Sequence, residues 1–370
     1  MSLVIRKIGT AVPDTVIDQT EALSIARAMA CPTQEQGTWM PSMYGGTLID
    51  TRRLALPSGL VRDILDGTRH SNSVFLPKDD PEHLGPTTGE RMAHYVELAP
   101  PLALGACRDA IAGSGVEPAD FTHLVTVSCT GFFAPGIDYA LVSGLGLSPT
   151  VERTHVGYMG CHGAINGLRV AQAFASAPRS RVLLCAVELC SLHYHYSYNP
   201  SKMVANAIFG DGAAALVGTS GGTPSNGSAN AWRVLATGSC YLPNSATAMT
   251  WNIGDHGFEM TLGKNVPSLI LRHLRSWLEG WLDEVGVGLA GVRSWAIHPG
   301  GPRILTAVEE ALGLSPKDTT ASREVFADMG NMSSPTVLFI LRKLMERNAP
   351  RPCLMLGFGP GLVAEAVLVG

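Results

Sequence analysis

Apolar positions along this chain alternate between two rhythms. The run at 181–187 (RVLLCAV) is unbroken and short, as a strand buried on both faces should be, and 125–128, 153–158 and 213–217 are expected strands too. Between them, 137–145 and 162–177 carry apolar residues at helical spacing. Strands alternating with helices predict an α/β layered fold. The stretch 220–231 (SGGTPSNGSANA) breaks the rhythm with Gly, Ser and Asn and is expected to be a linker or long loop. It divides the chain into halves at 1–220 and 231–370.

The two halves echo each other. Tyr158-Met159-Gly160-Cys161 resembles Asp328-Met329-Gly330-Asn331, and an apolar helical run follows each. Phe209-Gly210-Asp211-Gly212 resembles Phe358-Gly359-Pro360-Gly361, each leading into an apolar strand. Ser128-Cys129-Thr130-Gly131 stands where Ile297-His298-Pro299-Gly300 stands. Cys129 and Cys161 are 32 positions apart, His298 and Asn331 33. The third interval is 48 in the first half and 27 in the second, as an insertion in the first half would produce. Related by a pseudo-twofold axis, Cys161 and Asn331 would occupy equivalent strand–helix turns and meet His298 in one cleft.

Composition narrows the function classes. At 370 residues and 46% hydrophobic, the chain can bury a large core as two domains or one layered body. Mean hydropathy is +0.17, yet no apolar run approaches the roughly 18–20 residues of a membrane helix. The start, Met-Ser-Leu-Val-Ile-Arg-Lys, lacks the pattern of a secretion signal. Eight cysteines lie scattered without zinc-type spacing, so a reduced, cytoplasmic protein is expected, with most of these thiols acting as small core residues. Net charge is −4 and no basic run suits nucleic acid; an anionic ligand would need local Arg or Lys.

Cys161 lies in Gly157-Tyr158-Met159-Gly160-Cys161-His162-Gly163-Ala164, at the start of a helical run. A helix N-terminus lowers a thiol pKa, and a neighbouring imidazole lowers it further by forming a thiolate–imidazolium pair. His298 follows the apolar run 292–297, and Asn331 precedes another helix. Alone, His298 reads as a satisfied core histidine and Asn331 as a helix cap. With Cys161 they form a nucleophilic constellation suited to thioester chemistry, Asn331 supplying a neutral donor for an enolate oxygen. His162 is less suited, since adjacency to Cys161 turns its side chain elsewhere. Gly359 and Gly361 serve a tight turn or let backbone approach a substrate.

These pieces resemble the type III polyketide synthases, the chalcone and stilbene synthase family of the thiolase-fold superfamily. The resemblance rests on Gly160-Cys161, Phe209-Gly210-Asp211-Gly212-Ala213-Ala214-Ala215, His298-Pro299-Gly300-Gly301, Gly330-Asn331-Met332-Ser333-Ser334 and Gly357-Phe358-Gly359-Pro360-Gly361-Leu362. They run in the family's order from about Thr122 to the C-terminus, while the first hundred residues match poorly. The resemblance implies a layered αβαβα fold of two duplicated halves, the first carrying the nucleophile and the second His298 and Asn331. It implies that Cys161 accepts an acyl group from an acyl-CoA, and that His298 and Asn331 hold malonyl-CoA through decarboxylation. Rounds of Claisen condensation then build a chain that cyclises to a pyrone, resorcinol or related aromatic product. It further implies a homodimer working on CoA thioesters without a carrier protein, metal or redox cofactor.

By the same resemblance, Phe209 is a gatekeeper and Gly357, Phe358, Gly359, Pro360 and Gly361 shape the cyclisation pocket. Cys129, Thr130, His193 and Ser333 match lining positions, Met260 a second gate, and Trp251 a position the plant enzymes leave as glycine. Trp251 implies few extensions or a small product. Small Ala134 and Cys129, with adaptable Met260, instead imply a channel for a long acyl starter. Both stay open. Arg62 and Arg69 are the expected CoA contacts in the N-terminal region. Rival readings are a carrier-protein-dependent ketoacyl synthase, a hydroxymethylglutaryl-CoA synthase, a cysteine hydrolase and a non-catalytic scaffold.

Overall fold

The computed structural model describes residues 1–221 and 231–370, apart from 32, 34, 79 and 81. Two mixed sheets carry the molecule. The first runs in the order Ser2–Ala11, Asp211–Gly221, Arg181–Leu189, His123–Ser128, Glu152–Gly157, and the second Val234–Tyr241, Val363–Val369, Cys353–Gly359, Ser294–Ile297. The first four strands of one match the four of the other in order and sense: two antiparallel pairings, then a parallel one. The echo between the halves is therefore a repeated topology. The first sheet adds one further parallel strand, Glu152–Gly157.

Alternating faces explain the layering. Along Arg181–Leu189, Val182, Leu184 and Ala186 face inward, while Leu183, Cys185 and Val187 face the long helix Thr88–Ile111. Helices Gly163–Phe174 and Thr336–Glu346 lie between the sheets and touch strands of both. On the far side, Leu354, Leu356 and Ala366 pack under helices Val266–Glu284 and Pro302–Leu312. The result is the expected αβαβα sandwich.

Most expected elements appear within a few residues of their places, helix Ile137–Leu145 at both ends. Two differ. Ser220 and Gly221 belong to strand Asp211–Gly221, where they pair with Leu3 and Ser2; the rest of the expected linker up to 230 lies outside the described residues. Asn331 does not follow a strand. Helix Thr320–Met329 stands where the first half has Glu152–Gly157, so the two turns are equivalent only on their downstream side.

Candidate active site

The parallel strands end on one side of the sandwich, and there the chain sets its chemistry, as open α/β sheets do at strand carboxyl ends. Cys161 occupies a single 3₁₀ turn, Gly160–His162, immediately ahead of helix Gly163–Phe174. The turn is tight: Tyr158 has φ +62° and Gly160 φ +68°. A Cβ on Gly160 would stand 2.5 Å from Pro360 Cδ, so only glycine lets the second half close over the turn.

Gly330 repeats φ +68° on the other side. Asn331, 1% exposed, is pinned by its backbone, donating from N to Ile208 O at 2.8 Å and accepting from Gly210 N at 3.0 Å. Its Oδ1 accepts from Ser333 N at 2.7 Å, and the amide flanks Cys161 with Nδ2 at 3.9 Å and Oδ1 at 4.0 Å from Sγ. Ser333 itself holds φ +59° and sets its Oγ 3.4 Å from Cys129 Sγ.

His298 ends strand Ser294–Ile297 and donates from its backbone N to Leu356 O at 2.8 Å. Continuing the strand register by one residue places it beside Gly357, where a Cβ would press on Ile165 Cδ1 at 3.1 Å. Neither ring nitrogen of His298 has a partner among the described residues, although the residue is 1% exposed. Burial, then the nearby His162, lower its pKa to about 3, so the ring is neutral at physiological pH. Burial thus disfavours an imidazolium at His298. Desolvation instead raises the Cys161 thiol to about 11, against the expected lowering, with Ser333 and Asn331 pulling only weakly downward. Alkylation of Cys161 by iodoacetamide should therefore climb about tenfold per pH unit from 7 to 10, because the thiolate is the nucleophile. A rate already level at pH 7 would mean that the resting sulfur is ionised.

The glycines of the GFGPG segment act differently from expectation. Gly357, Phe358 and Gly359 lie within strand Cys353–Gly359 and do not line the cavity around Cys161. Phe358 faces the outer core with Leu356. A Cβ on Gly359 would meet the His162 ring at 2.3 Å, so it is His162, not a substrate, that needs the space. His162 is buried there, its Nδ1 2.6 Å from Asn166 Oδ1. Gly361, at φ +77°, makes the turn to Val363–Val369, and of this segment only Pro360 reaches the cavity.

The cavity encloses about 1150 Å³ of empty space, its open end included. Cys129, Thr130, His193, Trp251, Met260 and Ser333 line it as expected, and Phe209 stands at its wall. Trp251 is fixed by donating Nε1–H to Cys129 O at 2.7 Å. His193 accepts at Nδ1 from Phe258 N, 2.9 Å, so the Nε2 proton goes to Thr130 O at 2.7 Å. Its ring stacks on Phe258 at 4.2 Å and meets Trp251 edge-on. Burial lowers its pKa to about 3, and this neutral aromatic group makes a rigid floor. Arg62 is exposed on helix Ser58–Asp66 and Arg69 lines a separate polar cleft with Asn72 and His83. Neither reaches the Cys161 cavity.

Sequence reasoning missed Glu188, a fully buried carboxylate one strand behind the cysteine. It accepts from the backbone N of Cys129 and Thr130, from Thr130 Oγ1 at 2.6 Å, from Ser128 Oγ at 3.2 Å and from Ser334 Oγ at 2.5 Å. It thus ties the Cys129 turn of the first half to the turn after Asn331. Its signal was one charge in an apolar run, CAVELC.

Residues 2–222 match the N-terminal domain of the chalcone and stilbene synthases, and residues 234–370 match the C-terminal domain. The match starts well before Thr122, so the first hundred residues share it too. The chain is 31% identical over 371 residues to an alpha-pyrone synthesis polyketide synthase-like protein of Mycobacterium tuberculosis, covering 99% of this chain and 90% of that one. It is 34% identical over 307 residues to the 1,3,6,8-tetrahydroxynaphthalene synthase of Streptomyces peucetius, covering 82% and 80%. The crystal structure of PKS-I from the brown alga Ectocarpus siliculosus superposes with a TM-score of 0.90 at 30% identity, covering 100% and 98%. This chain belongs to the type III polyketide synthases, the chalcone and stilbene synthase family of acyltransferases with the thiolase fold.

Proposed function

We propose that the chain loads an acyl-CoA starter on Cys161 and extends it with malonyl-CoA, releasing a pyrone, a resorcinol or a related aromatic polyketide. The observation that carries this reading is Cys161 on the wall of a mainly apolar cavity, with the buried Asn331 amide behind it, Nδ2 at 3.9 Å and Oδ1 at 4.0 Å from Sγ. His298, on the adjoining strand end, has both ring nitrogens unpartnered among the described residues. In the first step the Cys161 sulfur attacks the starter thioester, its proton leaves, and CoA departs as the thiol. Malonyl-CoA then loses its carboxylate as carbon dioxide, and the electron pair moves onto the thioester oxygen. Neutral Asn331 and His298 donate hydrogen bonds to that developing enolate, and burial keeps His298 neutral for the task. The enolate carbon attacks the Cys161 thioester carbonyl; a carbon–carbon bond forms and the sulfur leaves. The lengthened chain is now on CoA and returns to Cys161 for the next round.

No helix among the described residues is long and apolar enough to cross a membrane. We place the enzyme in the cytoplasm as a homodimer. Exposed Phe132, Tyr139 and Met159, the last in the Cys161 turn, supply apolar surface for a partner. Purified protein given malonyl-CoA with acetyl-, aromatic or C6–C16 acyl-CoA starters should yield pyrones or resorcinols whose mass tracks the starter. Cys161 acylated by starters but giving no condensed product with any of them would overturn the assignment in favour of a carrier-protein-dependent synthase.

A further inference from the structure

The cavity wall is mostly apolar, but its rim is charged. Helix Pro200–Ile208 sets Lys202, Ala205, Asn206 and, just past its end, Phe209 along the cavity, at i, i+3, i+4 and i+7. That stripe is about 10 Å long at 1.5 Å per residue. It runs from a partly exposed end inward: the Lys202 side chain is 26% exposed and Asn206 5%. At the inner end Phe209 bridges to Asn331, and Gly210 N donates to Asn331 O at 3.0 Å. One helix face therefore leads from the rim to the residue that flanks Cys161.

Lys202 is paired across the rim. Its Nζ stands 2.7 Å from Oε2 of Glu259, on strand Gly257–Leu262, and both side chains line the cavity. His195 lines it beside them; burial, then the Lys202 charge, lower its pKa to about 4, so at neutral pH the ring carries no charge. Among the described residues the wall has one other fixed cation, Arg52, and it is committed. It is 2% exposed, donates from Nη1 to Asn206 O at 2.7 Å and Phe209 O at 2.8 Å, and its other nitrogens are enclosed by protein. Lys202 is thus the wall cation that an incoming anion reaches. An ion pair as open as Lys202–Glu259, with Glu259 42% exposed, is weak, because water solvates both ends. An oxyanion on a substrate already held in the cavity competes for the ammonium at high effective concentration. We infer that Lys202 is an anion subsite at the cavity rim, held by Glu259 in the resting protein and by an anionic group of the substrate when one is bound. The inference rests on the acyl-loading step proposed above. Two parts of an acyl-CoA can bring the anion: the CoA phosphates, or a carboxylate at the far end of the acyl chain. Lysine takes either as a point charge. The exchange also releases the link between the helix that ends at Phe209 and the strand that carries Met260.

The test reads acylation of Cys161 alone, by intact-protein mass spectrometry at low substrate without malonyl-CoA. Hexanoyl and adipoyl groups, which differ by a terminal carboxylate, are each delivered on CoA and on N-acetylcysteamine, which has no phosphates. If CoA brings the anion, Lys202→Ala should slow both CoA thioesters about tenfold or more relative to the cysteamine ones. If the acyl end brings it, both adipoyl thioesters should slow by that factor relative to the hexanoyl ones. Lys202→Arg, which keeps the charge, should restore most of the lost rate. Glu259→Gln removes the competitor and should speed the same pair of thioesters several-fold, a gain that a merely damaged protein cannot give. Four thioesters slowed alike by Lys202→Ala, none slowed, or no gain in Glu259→Gln would overturn the inference. Titration calorimetry with free CoA and with adipate keeps the two readings apart. If no thioester acylates Cys161 but one of these ligands binds Lys202→Ala about tenfold more weakly than the native protein, the loading step falls and the subsite stands. Equal binding to both proteins in that case sinks the subsite as well.

Discussion

Replacing Asn331 by alanine should lower malonyl-CoA decarboxylation by about 10²–10³-fold, the usual cost of removing one preorganised donor to a developing oxyanion. The expected loss is selective because of how the side chain is held. Oδ1 is engaged by Ser333 N at 2.7 Å, so Nδ2, 3.9 Å from Cys161 Sγ, is the side chain's donor. Alanine removes that donor while the backbone bonds to Ile208 and Gly210 remain. Phe209 and the Cys161 turn therefore keep their places, and alkylation of Cys161 should proceed at the native rate within a few-fold. Asn331→Asp makes the argument stricter. It keeps the shape but replaces a donor with an acceptor that is negative when ionised, beside a developing negative charge, and should be at least as slow as alanine. The measurement is carbon dioxide release from malonyl-CoA, with the iodoacetamide rate as the internal check. Decarboxylation at the native rate in Asn331→Ala would remove Asn331 from the mechanism. Decarboxylation and alkylation falling together would mean that the side chain only supports the turn.

Much of this site was legible in the sequence because its logic is local. Gly160 and Gly330 precede their functional residues in turns that require positive φ, and both adopt +68°. A glycine beside a lone Cys or Asn is thus a readable mark. The repeat spacing correctly announced a repeated sheet. It also carried the error, since similarity of Tyr158-Met159 to Asp328-Met329 implied a strand where the second half has a helix. Four residues cannot distinguish the end of a strand from the end of a helix when the turn that follows is the same. Charge states were the least legible. Helix position argued for an ionised cysteine, but burial, which depends on residues nearly two hundred positions away, pushes the thiol up. The GFGPG segment misled for a related reason. Its Gly359 admits His162, a neighbour that no spacing rule reveals.

Glu188 is the feature whose removal should do the most damage to the fold, and it shows why one charge belongs in an apolar strand. Glu188→Ala leaves the buried amide hydrogens of Cys129 and Thr130 and the buried hydroxyls of Thr130 and Ser334 without their acceptor, while Ser128 Oγ keeps Tyr95 OH at 2.6 Å. Each orphaned donor costs about 1–3 kcal/mol, so the sum rivals the roughly 5–15 kcal/mol that holds a whole domain together. The expected result is insoluble protein or a melting temperature lower by roughly 10 °C or more. Glu188→Gln keeps one acceptor oxygen but turns an NH₂ toward other donors, and should fall between. The pH dependence separates the charge from the hydrogen bonds. Desolvation outweighs the donors and raises the Glu188 carboxyl above the ordinary glutamate range. The folded state then holds its proton longer than the unfolded chain does. The contribution is full below the unfolded pKa and is lost as pH rises through the folded one. Glu188→Gln cannot ionise and should flatten that decline, so its deficit against the native protein should be largest in acid and shrink toward neutral pH. A deficit that grows with pH would mean that the native carboxylate is ionised from the start and the five donors outweigh its burial.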